Sequence, residues 1–220
     1  MAPLAKLKVA VLVSGRGSNL QALIDACADP AYPAEIVLVL ANIPGVFALE
    51  RAAKAGIPTT VVSHKDYPDR TSFEAAMNAR LESSGAGLIC MAGFMRLLTD
   101  GFVNGWHDRL INIHPSLLPA FKGLHVQEAA LRAGVRFSGC TVHYVRPAMD
   151  AGPILVQAVV PIHQDDDADR LAERILEQEH VIYPLAVRLI AEGRCRVIDE
   201  RVVIEGAGPA RGALVNPAAG

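Results

Sequence analysis

The sequence predicts an α/β fold: a doubly wound, mostly parallel sheet with an antiparallel C-terminal part. Three observations carry this. Short apolar, β-branched runs alternate with helix-periodic segments through the first half of the chain, the pattern of buried parallel strands joined by crossover helices. A glycine-rich turn, SGRGSN, directly follows the first run. Late in the chain two β-rich runs, SGCTVHYV and ILVQAVVPI, are separated only by the turn-like RPAMDAGP, as in an antiparallel pair.

With 220 residues, 51% of them hydrophobic, the chain is sized for one domain with a full core. Residues 1–204 are expected to form that domain. The small, flexible composition of 205–220 marks a C-terminal tail. A net charge of −2 gives no basic footprint for nucleic acid or for a membrane surface. No stretch approaches the roughly 20 apolar residues of a membrane span. The four cysteines, Cys27, Cys90, Cys140 and Cys195, stand singly without metal-ligand spacing, which points to a reduced, cytoplasmic protein.

In order, KVAVLV (Lys8 to Val13) reads as a buried parallel strand. After SGRGSN, apolar Leu20, Leu23, Ile24 and Cys27 recur at helical spacing. A strand, a glycine loop and a helix N-terminus together make an anion site. Leu20 stands where a dinucleotide fingerprint has its third glycine, and the second strand (Ile36 to Leu40) ends at Ala41-Asn42 without a ribose-binding acid. A lone phosphate, with Ser18 and Asn19 as extra donors, suits the loop better. A tight turn whose glycines serve packing fits the string equally.

A helix over about Val46 to Ala55 is expected to stop at Gly56. Thr59 to Val62 then reads as a strand, Arg70 to Ser83 as a helix and Leu88 to Ala92 as a buried strand. GFMRLL opens from that strand, either as a pocket wall at the sheet's carboxyl edge or as an ordinary connection. A short helix near Thr99 to Trp106 precedes INIHPSLLP. There, strand alternation puts Ile111 and Ile113 on one face and Asn112 and His114 on the other. Pro115 and Pro119 fix the path beyond. Two readings fit that string: reactive groups held at a strand end, or a strand running into a turn.

Gln127 to Ala133 is helical up to Gly134. The β-rich pair follows, with Asp150 in its turn and His143 as a strand-face residue. Asp165, Asp166, Asp167 and Asp169 supply the acidic first turn of a long helix. On it, Ile175, Glu179 and Ile182 share one stripe, so Glu179 points inward, toward a structural partner or a polar cleft. Arg196 to Ile204 reads as a short hairpin.

SGRGSN, AGFMRLL, INIHPSLLPAFKG, GCTVHYV, MDAGP and EQEHVIYP stand in an order and spacing that resembles the folate-dependent glycinamide ribonucleotide formyltransferase family, over residues 8 to 204. The resemblance implies a Rossmann-like, formyltransferase-type catalytic domain. It implies transfer of the formyl group of 10-formyltetrahydrofolate, as cosubstrate, to the amine of phosphoribosylglycinamide in purine synthesis. Carried over by matching position, Asn112, His114 and Asp150 are catalytic. Gly17, Ser18 and Asn19 hold the ribonucleotide phosphate, with Glu179 near the glycinamide end. Arg70, Met95, Arg96, Leu97 and Leu98 line the folate site, where Asn112, Arg146 and Asp150 also take part. One departure stands out: Arg146-Pro147-Ala148-Met149 replaces a loop that often carries acidic residues.

The implied chemistry suits these residue types. An amine attacking a formyl carbon gives an oxyanion, which the Asn112 amide and a protonated His114 stabilise, while Asp150 pairs with the imidazolium and takes a proton through water. No metal is called for. The implied partners are small molecules, with neither nucleic acid nor membrane, and the protein is expected to be a monomer or homodimer. The nearest alternative is formyltetrahydrofolate hydrolase, with water as acceptor; it usually carries an N-terminal regulatory domain, for which a first strand so near residue 1 leaves no room. A methionyl-tRNA formyltransferase would need a further domain and a basic surface. A nucleotide-monophosphate sensor would leave Asn112, His114 and Asp150 unexplained.

Overall fold

The computed structural model describes residues 5–208 and 212–217. The chain runs β1 (Leu7–Val13), α1 (Ser18–Cys27), β2 (Ala34–Ala41), α2 (Phe47–Lys54), β3 (Thr59–Val61), a 3₁₀ turn (His64–Asp66), α3 (Arg70–Ser83), β4 (Leu88–Met91), α4 (Asp100–Gly105) and β5 (Leu110–His114). It continues with α5 (Val126–Ala133), β6 (Phe137–Tyr144), β7 (Ile154–Pro161), α6 (Ala168–Ala191), β8 (Cys195–Ile198) and β9 (Arg201–Ile204). Seven strands form one sheet in the order β3-β2-β1-β4-β5-β6-β7. From β3 to β5 the pairings are parallel, whereas β6 joins β5, and β7 joins β6, antiparallel. β8 and β9 make a separate antiparallel hairpin. The architecture is the doubly wound sheet with an antiparallel part that the alternation predicts.

Strand alternation sorts side chains into two cores. Val9, Val11, Val13, Cys90, Ile111 and Ile113 fall in the cluster that includes Leu20, Leu23 and Ile24 of α1 and Leu171, Ile175 and Tyr183 of α6. Ala10, Leu12, Leu40, Ile89 and Leu110 face the cluster of Phe73, Met77, Phe102 and Trp106. Each fully buried leucine of this kind contributes roughly 2 kcal/mol. Three helix starts carry side-chain caps: Asp69 accepts from the Ser72 N–H, Thr99 from Phe102 and Asp167 from Arg170. Gly134 ends α5 in the left-handed region, and Gly56 just beyond α2 is left-handed too.

The acidic run before α6 is satisfied within the protein. Both Asp166 oxygens accept from the Arg174 guanidinium, at 2.7 and 2.8 Å. That hydrogen bonding holds the carboxyl at about 2, below the usual range. Of the tail expected from residue 205, residues 209–211 and 218–220 lie outside the described residues. The Asn216 amide donates to the Arg136 and Ile162 carbonyls, at 2.6 and 3.0 Å.

The β6–β7 seam tolerates no added volume at Gly139. A Cβ there would stand 1.9 Å from the Ala158 carbonyl oxygen and 2.9 Å from Leu117 Cδ2. Gly139→Ala is expected to cost about 3 kcal/mol and to lower Tm by roughly 6–12 °C, measured by thermal unfolding. An unchanged Tm would mean that the seam yields.

Candidate active site

The chain winds β1-β2-β3 to one side and β4-β5 to the other, so the order switches between β1 and β4. Crevices form at such a switch, beyond the strands' carboxyl ends. SGRGSN leaves β1 at this place and GFMRLL leaves β4. One hydroxyl ties the two segments: Ser14 Oγ accepts the Met95 N–H at 2.8 Å and donates to Asn42 Oδ1 at 2.6 Å.

β5 supplies Asn112 and His114, and β6 lies antiparallel against it with His143 opposite Asn112. His143 is buried; Nδ1 lies 2.9 Å from the Tyr144 carbonyl and Nε2 3.4 Å from Asn112 Nδ2. A carbonyl only accepts, so the proton sits on Nδ1 and Nε2 is free to accept from the Asn112 amide. Burial lowers the His143 pKa, which keeps that neutral tautomer. One Asn112 N–H is thereby directed at His143 and the other is left for the cleft.

His114 is also buried, with Nε2 2.9 Å from the Phe121 carbonyl, so Nε2 carries a proton there. Its Nδ1 lies 3.5 Å from Asp150 Oδ1, a contact of opposite charges when the ring carries both protons. The other carboxylate oxygen, Oδ2, accepts the Gly123 N–H at 2.7 Å. Asp150 sits in the left-handed region at φ 46, which aspartate tolerates better than most residues. The structure thus brings Asn112, His114 and Asp150 together, and His143 with them. Sequence reasoning set His143 aside. The signal lay in register, since a strand antiparallel to β5 presents His143 and Thr141 beside Asn112 and His114.

Two crevices lie beside this group, one lined by three of its members and the other beginning one residue past His114. The first is lined by Asn112, His143 and Asp150, by Arg96, Leu97 and Leu98, and by Arg146 to Met149. Met95, 67% exposed, and Arg70, exposed at the start of α3, do not line it. The Arg146 guanidinium is engaged by Asp108 and Glu200. The second crevice starts at Pro115, next to His114, and is lined by Arg16, Gln127, Asp169, Glu173 and Glu179.

Gly17 is the left-handed N-cap of α1 at φ 71, and neither a side-chain cap nor an acidic residue occupies that helix's first turn, which suits an anion. Packing needs the glycine as well: a Cβ would lie 2.6 Å from the Ala48 Cβ. In that first turn, Asn19 Nδ2 donates to Glu179 Oε2 at 2.7 Å. The Asn19 Oδ1 is buried with no partner among the described residues. Glu179, 6% exposed on α6, is pushed up to about 7 by burial, against the lowering effect of the Asn19 bond. Among the described residues no group of three or more His, Cys, Asp or Glu could hold a metal ion.

A doubly wound sheet that brings a half-buried carboxamide, a buried imidazole and a half-buried carboxylate together beside its crevices has the groups to polarise a carbonyl and carry protons. The chain belongs to the formyl transferase family, which matches residues 7–187. It is 40% identical to phosphoribosylglycinamide formyltransferase of Haemophilus influenzae, covering 90% of this chain and 94% of that protein. It is 55% identical to the trifunctional purine biosynthetic protein adenosine-3 of Drosophila pseudoobscura pseudoobscura over 88% of this chain, but spans only 14% of that protein's length. Among solved structures, glycinamide ribonucleotide transformylase 1 from Symbiobacterium toebii superposes with a TM-score of 0.88 at 44% identity, covering 90% of this chain and 94% of that one.

Glu179 gives the site a pH signature. Its carboxyl pKa is raised from 4.5 to about 7 in the folded chain, so burial costs nothing at low pH, where it is protonated in both states. The cost grows as pH rises through that window and is complete above it. At about 1.4 kcal/mol per pH unit it reaches about 3 kcal/mol. Glu179→Gln is expected to match the parent's unfolding free energy near pH 4.5 and to exceed it by about that amount at pH 8, measured by denaturant titration. An equal gap at both pH values would mean that Glu179 ionises normally.

Proposed function

We propose that this chain transfers the formyl group of 10-formyltetrahydrofolate to the amine of phosphoribosylglycinamide, in de novo purine synthesis. The observation that carries this reading is a pair of crevices of different character on either side of the β5 end, one lined by Asn112, His143 and Asp150 and the other by Pro115, the residue after His114. One has apolar walls and the Asn112 and Asp150 groups. The other presents Arg16, Glu173 and Glu179, with the uncapped start of α1 joined to it through Asn19 and Glu179.

The donor occupies the first crevice, with Arg96, Leu97 and Leu98 along it, Arg70 and Met95 at its margin and the Arg146 to Asp150 loop over the pterin. The acceptor phosphate sits on the N–H groups at Gly17, Ser18 and Asn19, and its amine lies toward Glu179. When the amine attacks the formyl carbon, electrons move onto the formyl oxygen and the nitrogen becomes cationic. The free Asn112 N–H and the His114 imidazolium stabilise that oxygen, which takes the place of the Phe121 carbonyl at Nε2. Asp150 holds the second imidazole proton and accepts the amine's proton through water. The formyl carbon–folate nitrogen bond then breaks as His114 protonates the leaving nitrogen. The catalytic unit is the seven-stranded sheet with its helices and the hairpin through Ile204. It works in the cytoplasm on small molecules, as a monomer or homodimer.

Formate and tetrahydrofolate production is measured with 10-formyltetrahydrofolate alone and again with phosphoribosylglycinamide. Little release alone and rapid formyl loss with the acceptor are expected. Full-rate formate release without the acceptor would replace this reading by the hydrolase. Asp150→Asn is expected to lose about 10²- to 10⁴-fold in rate with donor affinity largely kept, and a normal rate at neutral pH would remove Asp150 from the mechanism.

A further inference from the structure

The segment between β6 and β7 has an unusual task. Tyr144, the last residue of β6, lies opposite Ile111 near the start of β5, and His114 at the other end of β5 lies opposite Thr141. The chain therefore leaves β6 at the amino end of β5. Six residues later Asp150 is back beside His114, three residues, or roughly 10 Å, along the strand. The loop folds back over the sheet outside the ladder. At its base, Tyr144 N–H donates to the Pro153 carbonyl, and Gly152 has no room for a Cβ, which would stand 2.1 Å from the Tyr144 carbonyl oxygen. Toward the tip, Asp150 accepts the Gly123 N–H. An unpaired loop that carries a reacting carboxylate needs a further hold.

Arg146 provides one. Its Nε donates to Glu200 Oε2 at 2.8 Å, and Nη2 donates to Glu200 Oε1 at 3.2 Å and to Asp108 Oδ1 at 2.7 Å. Its Nη1 donates to the Val145 carbonyl at 3.2 Å. The arginine side chain is 11% exposed, against 40% and 62% for its two partners, so the pairs are better shielded than surface contacts of little worth. The forked contact with Glu200 fixes direction as well as distance. Glu200 and Asp199 both have positive φ, 57 and 48, as in the two-residue turn of a tight hairpin, so the anchor is a rigid turn. Neither Asp108 nor Glu200 lines the crevice, whereas Arg146 to Asp150 do, Arg146 with its guanidinium turned to the two carboxylates.

We propose that Arg146 is a positioning residue: it fastens the root of the 146–152 loop to the β8–β9 turn through Glu200 and to the approach of β5 through Asp108, and so sets where Asp150 and the loop backbone meet the donor. This rests on the donor assignment above. It gives the C-terminal hairpin a part in donor binding although no hairpin residue reaches the crevice. Arg146 then contributes through the loop, with its charge spent on the two carboxylates.

The test uses the full chain and the variants Arg146→Ala, Arg146→Lys, Glu200→Gln and Arg146→Ala/Glu200→Gln. Affinity for 10-formyltetrahydrofolate and for phosphoribosylglycinamide is measured separately, and hydrogen exchange is followed for the 148–152 amides without ligand. Arg146→Ala and Glu200→Gln are each expected to weaken the donor roughly tenfold, the double variant no further than Arg146→Ala, with the acceptor little affected and exchange faster in 148–152 alone. Arg146→Lys, which keeps charge but loses the fork, falls between. Donor loss in Arg146→Ala with Glu200→Gln unchanged means that the guanidinium touches the donor itself, and overturns the proposal. Unchanged exchange in both variants overturns it, as does equal loss of both ligands with faster exchange throughout the sheet. If the parent chain binds no reduced folate while exchange responds as expected, the donor assignment falls and the clamp stands.

Discussion

Everything reactive in this molecule depends on β6 lying antiparallel against β5. A parallel strand there would place its following loop at the carboxyl ends with the others. The reversed direction instead puts His143 directly across from Asn112, close enough for one imidazole to orient the amide. It also sends the following loop off at the wrong end of β5, so that Asp150 has to be carried back to His114 from above. One choice of strand direction thus yields the orienting histidine, the roof of the first crevice and the aspartate that closes on the imidazole.

Around that seam the two crevices are fastened together. The Ser14 hydroxyl stands at the exit of β1 and receives the Met95 N–H at the exit of β4, so neither loop can shift without disturbing the other. From the opposite face, the buried Tyr183 hydroxyl of α6 donates to the Met91 carbonyl at 3.0 Å. The same helix carries Glu179 into the second crevice, where Asn19 meets it from the first turn of α1. A carboxyl kept largely out of water beside an amide oxygen without a partner among the described residues is an arrangement that a folded chain bears only at a cost. A bound ligand with an N–H to give would relieve it.

Element positions were legible in the sequence because period-2 and period-3.6 patterns are local. Arg70–Ser83 forms as the spacing predicts, and the other helices and strands fall within a few residues of their expected ends. The inward direction of Glu179 was legible for the same reason, since Ile175 and Ile182 flank it on one stripe and all three are buried. What sequence reasoning could not reach depends on partners far along the chain. His143 acquires its role only when β5 and β6 are in register. Arg146 finds Asp108 and Glu200 across separations of 38 and 54 residues, with no local pattern to announce either. Arg70, assigned to the folate site by matching position, stands exposed at the start of α3 and is not among the residues that line the first crevice.

Gly17 and Ala48 form a matched pair whose effect reaches beyond packing. Helix α2 approaches the loop so closely that the missing Cβ of Gly17 and the small side chain of Ala48, fully buried at 0% exposure, occupy what would otherwise be a single residue's volume. Neither position can grow without displacing the other, and Gly17 holds a backbone conformation that side chains disfavour. The loop between β1 and α1 is therefore locked in shape from behind. Under the proposed function, any retuning of which phosphorylated compound is accepted must come from the side chains at Arg16, Ser18 and Asn19 and from those across the crevice, because the curvature of the loop itself is not open to change.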